Sequence, residues 1–143
     1  MVPTFSGRLQ TRLFSLVVIG LPWTVAACLV LAPAAGGLGP MLRAGLFSLG
    51  ATLAVGLLIW EPLYHLLMQF RWEKDWPTLF VLIESVPEAA VVGVLLDRFG
   101  PGAPFGVFLA LFFSTWLVVF LSLHGPLRVV FLRWRFRGGR IIW

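Results

Sequence analysis

The chain has 143 residues, of which 59% are hydrophobic and only 12% charged, whereas soluble domains carry about 25% charged residues. Its formal net charge of +5 does not point to nucleic acid, because the basic residues lie at the ends of apolar runs, where they orient a chain in a bilayer. Composition therefore excludes an ordinary soluble domain, and the single Cys28 excludes an internal disulfide.

Arg8 and Arg12 precede an apolar run that predicts a first span over about 13–32, ended by the loop APAAGGLGP at 32–40. The VAAC stretch at 25–28 also resembles a lipoprotein signal cleaved before Cys28. The apolar LVLAPAA that follows is not the polar linker such a signal needs, so an uncleaved span is the preferred reading. A second span covers about 44–70 and carries Glu61, Pro62 and His65 inside the run LLIWEPLYHLLMQF. A third covers about 77–96 with Glu84, Pro87 and Glu88, and DRFGPGAP at 97–104 follows it as a turn. A fourth covers about 105–124, and a basic, aromatic tail fills 125–143. Short connections favour antiparallel neighbours. The expected fold is one all-α integral membrane domain, 1–143, with four transmembrane helices in an up-down bundle.

Nine of the eleven lysines and arginines fall on one side of this layout: Arg8 and Arg12, Arg71 and Lys74, then Arg128, Arg133, Arg135, Arg137 and Arg140. Only Arg43 and Arg98 fall on the other side. By the positive-inside rule both termini are cytoplasmic. The loop-poor layout suits a bacterial inner membrane, with Trp72, Trp76 and Trp134 in the interfacial belt. The tail arginines are expected to contact lipid phosphates or an acidic partner.

A rise of 1.5 Å per residue puts Glu61 about 6 Å, and His65 about 12 Å, from the middle of the second span. Glu84 and Glu88 fall within about 3 Å of the middle of the third. Glu61 and His65 are four apart, as are Glu84 and Glu88, so each pair shares a helical face. Pro62 and Pro87 cannot donate to the carbonyls of Leu58 and Ile83. A carboxylate beside a freed carbonyl offers hard oxygen ligands or a seat for a proton. Thr24, Ser114 and Thr115 add hydroxyls at similar depth.

Glu61, Glu84, Glu88 and His65 are thus expected to form a buried proton or cation site, supported by Thr24, Ser114 and Thr115, since intramembrane carboxylates are functional candidates. The competing readings are helix glue or the docking of a partner helix, and a second span that stops at Trp60 so that Glu61 opens an interfacial helix. His65 and His124 at one depth would also fit haem ligation, although no resident cofactor or metal is expected. No phosphate-binding loop, nucleophile elbow or metalloprotease motif is present. The expected function is a small non-enzymatic subunit of a larger membrane complex, partnered by lipid and by copies of itself or other membrane subunits. A self-assembling proton-coupled transporter or channel is the alternative.

Overall fold

The computed structural model describes residues 4–70, 78–131 and 138–141. Among these residues helix is the regular secondary structure, with 101–104 and 138–141 outside it, and four helices are long and apolar enough to cross a membrane. We number them α1 (Phe5–Ala35) and α2 (Leu38–Met68), α3 (Thr78–Phe99) and α4 (Phe105–His124). A break at Gly125 separates α4 from the short α5 (Pro126–Val130).

Both early helices are longer than the apolar runs predict. α1 begins at Phe5, where the Thr4 hydroxyl accepts from the Gly7 amide at 3.1 Å and satisfies an otherwise orphan donor. Arg8 and Arg12 therefore lie inside a helix and do not flank it. The expected loop at 32–40 is mostly helical as well. Ala32–Ala35 forms a 3-10 turn, Gly36 and Gly37 reverse the chain at φ 78° and 125°, and α2 starts at Leu38. Pro40 is accommodated there because the first turn of a helix leaves its N–H groups unbonded anyway.

Prolines shape the interior of α1 and α2 in the same way. Pro22 follows a widened π-turn at Leu16–Gly20, closed by the Leu21 amide on the Leu16 carbonyl. Pro62 follows a second at Gly56–Trp60, closed by the Glu61 amide on the Gly56 carbonyl. A proline cannot make the regular bond one turn back, and the wider turn absorbs the mismatch. α2 runs on through Pro62 to Met68, so the helix does not stop at Trp60.

The helices pack antiparallel. Along α1, Cys28, Gly20 and Arg12 meet α2 at Met41, Leu49 and Gly56 in turn. Thr24 and Gly20 meet α4 at Thr115 and Val119. Gly45 allows the close approach of α1 and α2, since a Cβ there would sit 2.5 Å from the Cys28 sulfur. Near the Gly36–Gly37 and 100–104 connections the bundle is apolar and tight. Ala44, Val92, Leu96, Phe108 and Phe112 form one buried cluster, and Cys28, Met41 and Leu111 form another.

At the opposite end, residues 138–141 lie against the start of α1. The Thr4 amide donates to the Gly138 carbonyl at 2.9 Å, the Thr11 hydroxyl to the Gly139 carbonyl at 3.0 Å, and the Ile141 amide to the Gln10 side chain at 2.9 Å. Gly7 faces this strap, and a Cβ on it would overlap the Gly138 carbonyl. Of the residues assigned from sequence to the interfacial layer or the tail, Arg71, Trp72, Lys74, Trp76, Arg133, Trp134, Arg135 and Arg137 lie outside the described residues.

Candidate functional site

Between the apolar core and the terminal strap lies a cavity of about 330 Å³. α3 turns Val81, Glu84 and Glu88 toward it, and α4 turns Trp116, Val119, Phe120 and Leu123 toward it. Both sets repeat at three- and four-residue intervals, so each is one helical face. α1 contributes Arg8 and Arg12, α2 contributes Thr52 and Glu61, and Gly139 of the strap also borders the space.

Arg12 organises the charges. Its Nη1 donates to Glu61 Oε1 at 3.2 Å, while its Nη2 donates to Glu88 Oε1 and to the Thr52 carbonyl at 3.4 Å. Arg8 Nε donates to the other Glu61 oxygen at 2.7 Å. Room for the guanidinium comes from Gly56 in the π-turn of α2, where a Cβ would overlap it. Glu88 is 1% exposed and Glu61 8%. Buried carboxylates of this kind persist only when paired and hydrogen-bonded, and two arginines neutralise these two.

Glu84 is different. It lines the same cavity, half-buried, yet among the described residues its carboxylate has no hydrogen bond or salt bridge. Arg8, Arg12, Glu61 and Glu88 balance one another, and Glu84 and Arg128, which also border the cavity, stand outside that network.

The remaining residues expected from sequence separate into two groups. Thr24 and Thr115 join the cavity, both buried, with their hydroxyls 3.4 Å apart. Ser114 lies away from it, accepting from Trp23 Nε1 at 3.2 Å and donating to the Leu111 carbonyl at 3.0 Å. His65 does not border the cavity and packs on the Phe5 ring at a centroid distance of 5.3 Å. His124 does border it, with Nδ1 2.9 Å from the Phe120 carbonyl. The two histidines are therefore not brought together around one space. Arg128 borders the cavity from α5 and is exposed, and Arg140 Nε donates to Thr4 Oγ1 at 3.3 Å.

Arg8 and Arg12 are the functional residues that sequence reasoning missed. Their signal was present: they are four apart, as Glu84 and Glu88 are, and so share a face that can meet a carboxylate pair. No protein-family model matches the chain, and no curated protein or solved structure is significantly similar to it.

Proposed function

We propose that this chain is a four-span integral membrane protein of a bacterial inner membrane, with both termini cytoplasmic, serving as a small non-enzymatic subunit that holds an exchangeable proton or cation at Glu84. The membrane reading is supported by the four long apolar helices and by lipid-like outer faces on which Leu58, Val86 and Val94 are exposed. The orientation is supported by the excess of arginine and lysine on the side of the termini. Exposed apolar faces on every helix also leave room for neighbouring copies or other membrane subunits.

The observation that carries the site is the lone Glu84 carboxylate. Glu61 and Glu88 are held by arginines and contribute to structure. Glu84 borders the cavity without a salt bridge among the described residues, so a proton or a mobile cation can balance its charge. Infrared difference spectroscopy of the protein in lipid tests this. A carboxyl band that responds to bulk pH is expected in the wild type and absent from Glu84→Gln. A band that persists unchanged in that variant removes Glu84 from the role. The subunit reading is tested by co-purification from native membrane in mild detergent, where a monodisperse species free of other proteins counts against it.

The transporter alternative draws support from one feature, the paired proline and π-turn devices in α1 and α2. They flank Arg12 and Glu61 and give both helices a place to bend. Proton flux into liposomes containing the protein alone, abolished by Glu84→Gln, would favour it over the subunit.

A further inference from the structure

The cavity is elongated along the helices, and its two ends differ. On α4 its lining runs from Leu111 to His124, which is about 20 Å of helix. At the end nearest the termini, Arg128 is exposed, and Arg8, Thr11, His124 and Gly139 are half-buried. At the other end Thr24, Ser48, Leu111, Phe112 and Thr115 are all buried. Beyond them the helices close up. Cys28 and Met41 are both 0% exposed, and the Cys28 thiol donates to the Met41 carbonyl at 3.5 Å. Phe112 belongs to the tight cluster with Ala44, Val92 and Phe108. Solvent exposure therefore falls steadily from the strap toward the apolar core.

The walls decide what fills this space. Cavities that stay empty are apolar, whereas a water needs two to four polar partners. The face of α4 is largely apolar, but the residues from α1, α2 and α3 include Arg8, Arg12, Glu61, Glu84 and Glu88. Ser15 and Thr52 donate to the Arg12 and Ser48 carbonyls at 3.1 and 2.9 Å, and their oxygens keep lone pairs that accept from water. A volume of about 330 Å³ holds roughly ten waters at the ~30 Å³ each takes in the liquid. Polar partners are available at several levels, so the water reaches past the mouth to the arginine network.

We infer that the cavity is a water-filled vestibule open on the side of the termini and closed on the other, so that Glu84 exchanges its proton or cation with that side alone. This rests on the reading of Glu84 as an exchangeable seat and gives that seat a direction. Several charged or titratable groups border the same space: Arg8 and Arg12 of α1, Glu61 of α2, Glu88 of α3, His124 of α4 and Arg128 of α5. Tyr64 of α2 lies within electrostatic reach of Glu84. Arg8, Arg12, Glu61 and Glu88 are locked in salt bridges. His124 and Arg128 stand at the outer end, and Glu84 sits one helical turn outward of Glu88. The path from the termini thus reaches Glu84 before the Arg12–Glu88 pair, and the packed core bars the path from the far side.

Cysteine accessibility tests the inference, using the whole chain in sealed vesicles of both orientations and the membrane-impermeant thiol reagent methanethiosulfonate ethyltrimethylammonium. Native Cys28 is enclosed and should stay unlabelled from either side, so it is left in place. Ala34→Cys, exposed at the far connection, should react from the far side only and so marks which side is which. Val119→Cys and Thr115→Cys, both in the cavity wall, should react at least tenfold faster from the side of the termini. Leu121→Cys, on the outer face of α4, should react at least tenfold more slowly than Val119→Cys. If Thr115→Cys does not fold, Val119→Cys decides alone. Labelling of Val119→Cys from the far side, at equal rates from both sides, from neither side, or no faster than Leu121→Cys overturns the inference. The direction of exchange is then read from the Glu84 carboxyl band in vesicles of one orientation. An acid step on the side of the termini should change the band, and the same step on the far side should leave it unchanged while the pH gradient holds. A band that follows the far side overturns the inference. If labelling is two-sided while the pH-sensitive band of Glu84 is present, the vestibule is wrong and the underlying reading stands. If that band is indifferent to Glu84→Gln, the underlying reading fails.

Discussion

Toward the Gly36–Gly37 and 100–104 connections the helices meet through Ala44, Met41, Val92, Phe108 and Leu111, all buried. Toward the termini they meet through Arg8, Arg12, Glu61 and Glu88, with open space beside Glu84. In the proposed bilayer setting lipid tails are as apolar as leucine, so the first region gains little from hiding surface and depends on close contact between helices. The second region depends on charge balance. Van der Waals contact requires that space be filled, whereas an ion-paired network can bridge helices across a gap. The cavity is found where the helices are joined by long charged side chains, and the tight core where apolar side chains touch directly.

The largest expected effect breaks the polar region. Arg12→Ala leaves Glu61 with Arg8 alone and Glu88 with no partner among the described residues. Removing one member of a buried pair costs about 3–5 kcal/mol, read as a loss of that size in unfolding free energy in mild detergent. The double variant Arg12→Met with Glu88→Leu should recover much of the loss, because replacing both charges by apolar groups is often close to neutral. No recovery would mean that the pair is not what joins α1 to α3.

Next comes the packed region. Met41→Ala removes a fully buried side chain and should cost about 2 kcal/mol, the low end of such truncations, since lipid offers the unfolded helix an equally apolar setting. A smaller effect is expected where the regions join. Thr24→Val and Thr115→Val in a double-mutant cycle should show a coupling of about 0.6 kcal/mol, the average for such bonds between membrane helices. The smallest is Glu84→Gln, which removes no pair and should change stability by less than about 0.5 kcal/mol, even as it removes the carboxyl band. A large destabilisation by Glu84→Gln would place Glu84 with the structural charges and erase its contrast with Glu88.

Much of this layout is legible in the sequence. The apolar runs locate all four helices, and the end of α4 at His124 coincides with the charge-free segment before Arg128. The starts of α1 and α2 are not legible from hydropathy, because Arg8, Arg12 and Pro40 all read as boundary markers. Arg8 and Arg12 continue a helix because their partners lie 53 and 76 residues away, at Glu61 and Glu88, and no local pattern carries that information. The depths of Glu61, Glu84 and Glu88 follow from counting residues. The division of labour among them depends on which way each helix is rotated, and depth does not encode rotation. Ser114 and His65 illustrate this: each is near a depth shared with cavity residues, yet the turn of its helix carries it elsewhere.

The strap that joins Gly138 to Thr4 spans 134 residues of chain. A ribosome adding roughly 5–20 residues per second makes the two sides of that contact about 7–27 s apart. Glu88 is made 76 residues after Arg12, so for about 4–15 s of this interval the first helix exists with Arg12 in place and Glu88 still to come. The cavity likewise acquires its Gly139 border only once that late segment has been translated.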